Sequence, residues 1–555
     1  MYLFDLFRSF LPLRNPIGFG AADFVVLAIA VLVALLLAAR AALGPYVLRI
    51  AQRTPLAMAS LAGLSVLLRL ALLVSSPVPM PAGADDFSYV LLADTLRHFR
   101  FANASHVLSQ FFEAVFVLQH PTYSSIYPPG QGLVLALGRV LFGSYWAGVL
   151  ISVAALSALC YWMLRGWTSP RWAYAGGLLA VIQFGALSAW TNSYWGGAVS
   201  ACAGCLVFGA LPRIAAKRDR TNVVLLGAGL AVQLLTRPFE FVLLTLCALL
   251  YVLCFVRWRR SLAFAALPLL AAFILLAIQN KSVTGSWTTL PYVLSRQQYG
   301  VPATFTFQPN PVPHRPLTQE QEFDYRAQAA IHGPDTDSFS GYFLRLVYRL
   351  RFLRFFLLAP LFAPLIFVLP GFRERRWIWL LVSLAIFLAG TNFYPYFFPH
   401  YIAAIASLLI LLAVVGTQRL ARLQPAAAVL ILCLSGAHFL FWYSLHLSSS
   451  ESLLAATRYE NWDFMNHGDP EGRIAVAQTL AQSAGRQLVF IRYAPQHRFG
   501  TWTGNEADID RARVVWALDL GADENQKLIN YFPARRRWLL EPDARPVRLV
   551  PYPAE

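Results

Sequence analysis

Asp85 and Asp86 stand side by side in the stretch Gly-Ala-Asp-Asp-Phe-Ser-Tyr, just past a long apolar run. A carboxylate close to a hydrocarbon phase is costly to desolvate, so a pair held there marks a working site. On a helix, neighbouring side chains point about 100° apart, so only one of the two can aim at a given reacting atom. Asp85, Ser88 and Tyr89 would share a face, at i, i+3 and i+4. The chemistry this suits is proton abstraction by a carboxylate base. In a soluble chain the same residues would read as a helix N-terminus or a solvated turn, where Asp is favoured.

Other chemistry-bearing residues cluster in a few short segments. His120, Tyr123 and Tyr127 lie in His-Pro-Thr-Tyr-Ser-Ser-Ile-Tyr-Pro-Pro-Gly. There Pro128-Pro129 suits entry into a helix after an extended segment. These side chains would line a polar cavity or, for the tyrosines, form an aromatic belt at a membrane interface. Arg237-Pro-Phe-Glu240 offers a cation that pairs with Glu240 or meets an anion. His400-Tyr401 opens a late apolar run, and a lone His is usually a hydrogen-bonded structural residue. Residues 341–356 carry Arg345, Arg349, Arg351 and Arg354. They read either as a snorkelling interfacial helix or as a site for a lipid phosphate, which Arg recognises with two parallel hydrogen bonds. Positions 345 and 349 share one face and 351 and 354 another, so one pair is expected to meet the cavity and the other the headgroups. Arg69, inside an apolar run, must snorkel outward or face a polar cavity.

The elements that must position these residues are membrane spans. The chain has 555 residues, 57% hydrophobic and only 13% charged. With a mean hydropathy of +0.53 this is an integral membrane protein. The net charge of +17 comes from arginines between apolar runs and not from an aromatic-interleaved basic motif, so no nucleic-acid partner is expected. The six cysteines all fall in apolar segments. Cys202-x-x-Cys205 therefore reads as packing and not as metal binding. No Walker loop, strand-associated GxGxxG or HExxH occurs. No cleavable signal peptide is expected, and residues 1–20 could form an interfacial helix.

Apolar runs predict roughly twelve spans, near 21–39, 56–76, 145–164, 172–190, 194–212, 222–236, 239–256, 261–279, 355–370, 377–391, 401–416 and 425–446. Every second loop is basic: Arg165 and Arg171, Lys217 to Arg220, Arg257 to Arg260, Arg373 to Arg376, Arg419 and Arg422. These loops are expected in the cytoplasm, which places 77–144, 280–354 and the tail from 447 outside, with the aspartates. The tail alternates short β-like runs, Gln487–Arg492, Arg513–Ala517 and Arg537–Leu540, with helical patterns near Arg473–Ser483 and Asp523–Tyr531. It predicts a small α/β domain over 447–555. Asp519, Asp523 and Glu524 read as turn and cap residues.

Over roughly 56–446 the pattern resembles the GT-C superfamily of glycosyltransferases, in the branch of protein O-mannosyltransferases and lipid A aminoarabinose transferases. The resemblance rests on the acid pair opening the first large outer loop, "LLADTLRHFRFAN" after it, the His/Pro/Tyr-Pro-Pro segment, "LLTRPFE" and the "PHY" helix entry. It departs in having an extra span within 1–55 and His400-Tyr401 where many members have Arg-Tyr. The resemblance implies a polytopic α-helical membrane protein in a bacterial inner membrane. It further implies a polyprenyl-phosphate sugar donor and membrane lipid as partners, and an acceptor hydroxyl on a lipid, glycan or protein. In the family the first acid is catalytic, which maps to Asp85, with Asp86 beside it. Tyr89, His120, Tyr123, Tyr127, Arg237, Glu240, Arg345, Arg349, His400 and Tyr401 are then the substrate-binding candidates. No cofactor is implied, and no metal is required, because the leaving group is a phosphate already tethered to lipid. Direct displacement would invert the anomeric carbon. A transporter or flippase of a lipid-linked saccharide is the competing reading. The lack of internal repeats and midplane charges disfavours it. A non-catalytic protein of the same fold is the third.

Overall fold

The computed structural model describes residues 21–39, 43–216, 220–256, 260–333, 337–350, 353, 355–448, 469, 471–498 and 500–553. The expected interfacial helix in 1–20, and Arg351 and Arg354, lie outside the described residues.

Among the described residues, seven helices are long and apolar enough to cross a membrane: Thr54–Val74, Tyr145–Leu164, Gly197–Ala216, Pro238–Phe255, Leu262–Thr284, Pro399–Leu423 and Pro425–Leu447. Leu27–Leu36, Pro129–Phe142, Arg220–Thr236 and Pro360–Pro370 are shorter apolar helices. The chain is thus a polytopic helical membrane protein, with fewer full-length spans than apolar runs. Local chemistry accounts for two of the shorter ones. The run at 172–190 forms Pro170–Phe184 and then breaks at Gly185 before the short turn Ala189–Asn192. The run at 355–370 carries Pro364 and Pro370 and coils as a 3-10 helix over Ala359–Arg373, since proline lacks the N–H that a continuous α-helix needs.

Burial sorts the spans. The Pro399–Leu423 segment is 94% buried and forms the central rod, whereas Leu262–Thr284 is 17% buried and shows leucines to the surroundings. Such a broad exposed apolar face suits contact with lipid. Arg69 faces inward to a polar pocket. Its Nε donates to Asn192 Oδ1 at 2.8 Å and its terminal nitrogens donate to the carbonyls of Ser76 and Pro77. Its guanidinium lies 4.9 Å from the Trp146 ring.

Two segments between the spans carry the aspartates and their counterparts. Asp85 and Asp86 sit in the first turn of helix Ala84–Arg97, which is capped at Gly83. A small antiparallel sheet follows, β1 (Asn103–Ala104), β2 (Val117–Leu118) and β3 (Thr122–Ser125), ordered β1-β3-β2. Pro128 then caps helix Pro129–Phe142, with Pro129 in the first turn as the sequence predicts. A Cβ at Gly130 would stand 2.5 Å from Thr236 Oγ1, so only glycine lets this helix start approach the residue preceding Arg237.

The polar tail folds as an α/β unit with strands β4 (Gln487–Ile491), β5 (Val514–Leu518), β6 (Arg536–Glu541) and β7 (Arg548–Pro551), ordered β5-β4-β6-β7. β4 pairs in parallel with β5 and β6, and β7 closes the edge antiparallel to β6. Period-two alternation divides its side chains. Val489, Ile491, Trp538 and Leu540 pack against Val476 and Leu480 of helix Arg473–Gln482. Leu488, Phe490, Val515, Ala517 and Leu539 point the other way, toward Leu528 and Ile529 of helix Ala522–Tyr531. That second layer also takes in Leu91, Phe111, Phe112, Val117 and Tyr123 of the first large loop. The tail unit and the aspartate-bearing segment therefore share one hydrophobic core.

Candidate active site

The face predicted for Asp85, Ser88 and Tyr89 docks on the segment that follows β3. Ser88 Oγ lies 2.7 Å from both the Phe116 carbonyl and Ser125 Oγ. The Tyr89 ring stacks on Tyr127 at 4.1 Å between centroids. The Tyr127 hydroxyl donates to Asp85 Oδ1. Tyr292, at the start of helix Pro291–Tyr299, meets Tyr127 edge-on at 5.5 Å. Phe116 holds φ at +61°, a conformation uncommon for a bulky residue, and its carbonyl accepts from Ser88 and Ile126.

Across from these rings, Arg237 donates to Glu240 Oε1 at 3.0 Å and lies 4.8 Å from the Tyr401 ring centroid. Tyr394 closes on the same pair, with its hydroxyl 3.4 Å from Glu240 Oε2 and its ring 4.8 Å from Tyr401. The Nε–H of Arg237 is buried and has no hydrogen-bond partner among the described residues. A donor left free in this way is available to an anion. Burial raises the Asp85 carboxyl above the ordinary range, against the lowering pull of the Tyr127 hydroxyl and the Arg237 charge. A raised carboxyl is a stronger base once ionised.

Asp86 is used differently from its neighbour. Its Oδ1 accepts the Tyr194 N–H at 2.9 Å, and its Oδ2 accepts the N–H groups of Ala82 and Gly83. Burial pushes its carboxyl up to about 6, opposed by those N–H groups and reinforced by the Asp85 charge. It fixes the helix start and the chain at Tyr194, and leaves Asp85 as the member of the pair that faces the rings.

The structure separates several of the predicted residues from this cluster. His120 is exposed, between the Ser105 and Ser109 hydroxyls at 3.3 and 3.1 Å. Tyr123 is buried in the core shared with the tail, and its hydroxyl donates to the Asn505 carbonyl. Arg345 and Arg349 do share a face, but it grips the chain around 391–397 instead of opening to a cavity. Arg345 pairs with Asp337 and donates to the Asn392 carbonyl, and Arg349 donates to the carbonyls of Thr391 and Tyr394. Their effect on the cluster is to hold Tyr394 in place. His400, by contrast, stays beside the cluster, packed flat on Phe398 and edge-on to Trp195 and to Tyr401, whose ring lies 4.7 Å away.

Residues outside the predicted set complete the cluster. Asp324 lies on helix Gln319–His332, where Gln328 Nε2 donates to it at 2.6 Å and the Tyr396 hydroxyl stands 3.4 Å from Gln328 Oε1. Burial raises Asp324 to about 7, with Asp85 and Glu320 adding to the rise. Its signal in sequence is a stripe at spacing four, Glu320, Asp324 and Gln328, all buried. Tyr292, Tyr394 and Tyr396 carry no such signal. Among the described residues, no group of three or more His, Cys, Asp or Glu side chains is placed to hold a metal ion.

No protein-family model and no curated protein sequence matches the chain. Solved structures do. The chain is similar to ArnT from Cupriavidus metallidurans bound to undecaprenyl phosphate, at 12% identity and a TM-score of 0.51, covering 86% of this chain and 92% of that one. The apo state of the same ArnT aligns at 14% identity and a TM-score of 0.49, over 85% and 90% of the two chains. The archaeal oligosaccharyltransferase AglB from Archaeoglobus fulgidus, in complex with an inhibitory peptide and a dolichol-phosphate, aligns at 13% identity and a TM-score of 0.44, over 88% and 69%. The helical bundle thus shares the fold of that undecaprenyl phosphate-bound ArnT structure.

Proposed function

We propose that this protein is a glycosyltransferase that moves a sugar from a polyprenyl-phosphate donor to an acceptor hydroxyl, with Asp85 as general base. The observation that carries the reading is the half-buried carboxylate of Asp85, oriented by Tyr127 and within the field of Arg237, whose buried Nε–H has no partner among the described residues. Asp85 takes the proton of the acceptor hydroxyl as its oxygen attacks the anomeric carbon. The bond from that carbon to the phosphate breaks, and polyprenyl phosphate leaves with the electron pair. Arg237 stabilises the charge that grows on the departing oxygen. Attack opposite the leaving group inverts the anomeric centre. The tyrosines around the site give the sugar ring flat faces and hydroxyl partners. Asp86 acts by positioning the helix start. The fold shared with ArnT, which holds undecaprenyl phosphate, supports a lipid-phosphate donor. The alternating basic loops support a site at the outer face of a bacterial inner membrane.

The test is transfer by the purified full chain in liposomes, using undecaprenyl phosphate charged with a panel of labelled sugars and reading both transfer and release of free undecaprenyl phosphate. Asp85→Asn is expected to lower the rate about 10²–10⁴-fold with donor binding retained. A folded Asp85→Asn protein that transfers at the wild-type rate removes Asp85 as base. A wild-type protein that flips labelled lipid without breaking the sugar–phosphate bond establishes the transport reading instead.

A further inference from the structure

A second polar cavity, of about 480 Å³, lies at the other end of the bundle from Asp85. Its place follows from the helices that reach it. Helix Tyr145–Leu164 begins where Tyr145 bonds Asp94, on the aspartate-bearing helix, and delivers Arg165 to the cavity. Twenty residues of α-helix span about 30 Å. Helix Arg375–Thr391 ends at the carbonyl held by Arg349 and begins beside the cavity with Arg376 and Trp377. Helix Ala406–Leu423 starts just past Tyr401 and brings Arg419 and Arg422 to it. Three loops that the sequence marks as basic thus meet at one hollow.

Its lining is strongly cationic. Glu374 is the one carboxylate among the lining residues, and it is paired with Arg376 at 2.7 Å. Arg165, Arg419 and Arg422 form no ion pair among the described residues. Arg419 does hold the bundle together, donating to the Val368 carbonyl at 2.8 Å. Two donors are left over. Trp377 is 3% exposed, yet among the described residues its Nε1–H has no hydrogen-bond partner, and the buried Nε–H of Arg165 has none either. A buried indole N–H without a partner is costly, and such orphans call for an acceptor. Arginines scattered along a membrane face need no ligand, since they snorkel to headgroups one by one. Arginines converging on a hollow with orphaned donors form a built site.

We infer that this cavity binds the phosphate group of an anionic phospholipid headgroup or of a small phosphate compound. Arginine forks and indole N–H groups supply donors only, so the ligand must supply acceptors and negative charge. Cavities of roughly 300–1,000 Å³ hold whole small molecules, which suits a glycerophosphate headgroup better than a bare ion. Basic pockets between spans on the cytoplasmic side are where such headgroups dock. The inference does not depend on the transferase reading.

The experiment is native mass spectrometry and calorimetric titration of the full chain in a neutral detergent. The probes are dihexanoyl phosphatidylglycerol, dihexanoyl phosphatidylcholine and inorganic phosphate. Trp377→Phe removes the orphaned donor and keeps an aromatic ring beside Arg376, Arg419 and Trp167, and is expected to weaken binding about tenfold, the usual effect of one hydrogen bond to a charged group. An Arg165→Gln/Arg422→Gln double variant, away from the carbonyl contacts of Arg419, is expected to weaken it further. Phosphatidylglycerol binding that both variants weaken supports a lipid headgroup site. Phosphate binding of equal affinity with the same losses supports a site for a soluble phosphate compound. No binding by either probe, equal binding of the two lipids, or binding unchanged in a folded Trp377→Phe protein overturns the inference.

Discussion

Tyr127 holds two residues of one helical face at once: its hydroxyl donates to Asp85 and its ring lies on Tyr89, with centroids 4.1 Å apart. The tyrosine therefore sets both the direction and the basicity of the carboxylate. Tyr127→Phe keeps the stack and removes the hydrogen bond. That bond lowers the Asp85 pKa, so its loss raises it further. On the proposed function Asp85 works ionised, so the acid limb of the pH–rate profile is expected to move to higher pH. A hydrogen bond to a charged group corresponds to about one to two pH units. A profile that does not move in Tyr127→Phe argues against Asp85 as the titrating base.

Asp86→Asn is expected to act on stability more than on rate. An amide offers one acceptor oxygen where the carboxylate offers two, so the N–H of Tyr194 or those of Ala82 and Gly83 lose their partner. The cost is about 1–3 kcal/mol, read as a lowered melting temperature in detergent. The pH dependence has a definite sign. A carboxyl raised to about 6 in the folded state binds its proton more tightly there than in the unfolded chain. Its stabilising contribution is fully present below about pH 4 and is lost as pH rises through about 6. The variant lacks that slope, and an unchanged slope would show that Asp86 is not its source.

Gly504→Ala tests the seat of the tail unit. A Cβ at 504 would stand 2.1 Å from the Phe87 ring, one residue past Asp86. Ring and backbone must separate, which is expected to cost about 1–3 kcal/mol of docking and to make the tail more susceptible to limited proteolysis. Transfer should fall with it, since Phe87 and Asp85 share the first turns of one helix. Unchanged proteolysis and activity would mean that the contact yields without effect.

Orientation can be read by thiol labelling in intact cells. The native cysteines are buried apart from Cys254, so a Cys254→Ser background is quiet. Gln526→Cys, on an exposed face of helix Ala522–Tyr531, is expected to react with an impermeant maleimide, and Arg171→Cys is expected to react only after lysis. The reverse pattern would place Asp85 on the cytoplasmic side and exclude the donor geometry.

What the sequence reveals and what it hides follow from the range of the forces involved. Strands β4, β5 and β6 lie within a residue of the short β-like runs in the sequence, because a short apolar run rich in β-branched and aromatic residues is written locally. β7 went unread, being a short edge strand of half-exposed residues. The Arg237–Glu240 pair is legible because its partners are one helical turn apart. Tyr292, Tyr394 and Tyr396 reach the site from distant segments, which no local spacing encodes, and Asp324 shows locally only as part of the spacing-four stripe with Glu320 and Gln328. Arg345 and Arg349 share the expected face, but only tertiary structure shows that carbonyls of Thr391 and Tyr394 fill it. His120 and Tyr123 have the composition of a site and the surroundings of a surface turn and a core.

The core that joins Leu91, Phe111 and Phe112 to Phe490, Val515 and Leu539 has a consequence for biosynthesis. A ribosome makes the aspartate helix hundreds of residues before it makes its cover. Spans can insert as they emerge, but Leu91, Phe111 and Phe112 on the apolar back of the acid-bearing segment gain their tail partners only from β4 onward. A chain that stops before β4 would reach the membrane with the Asp85 helix held on the side of Tyr127 and Trp146 alone. On the proposed function, completion of the tail strands is then the step that seats Asp85, and a chain truncated before them is expected to transfer poorly.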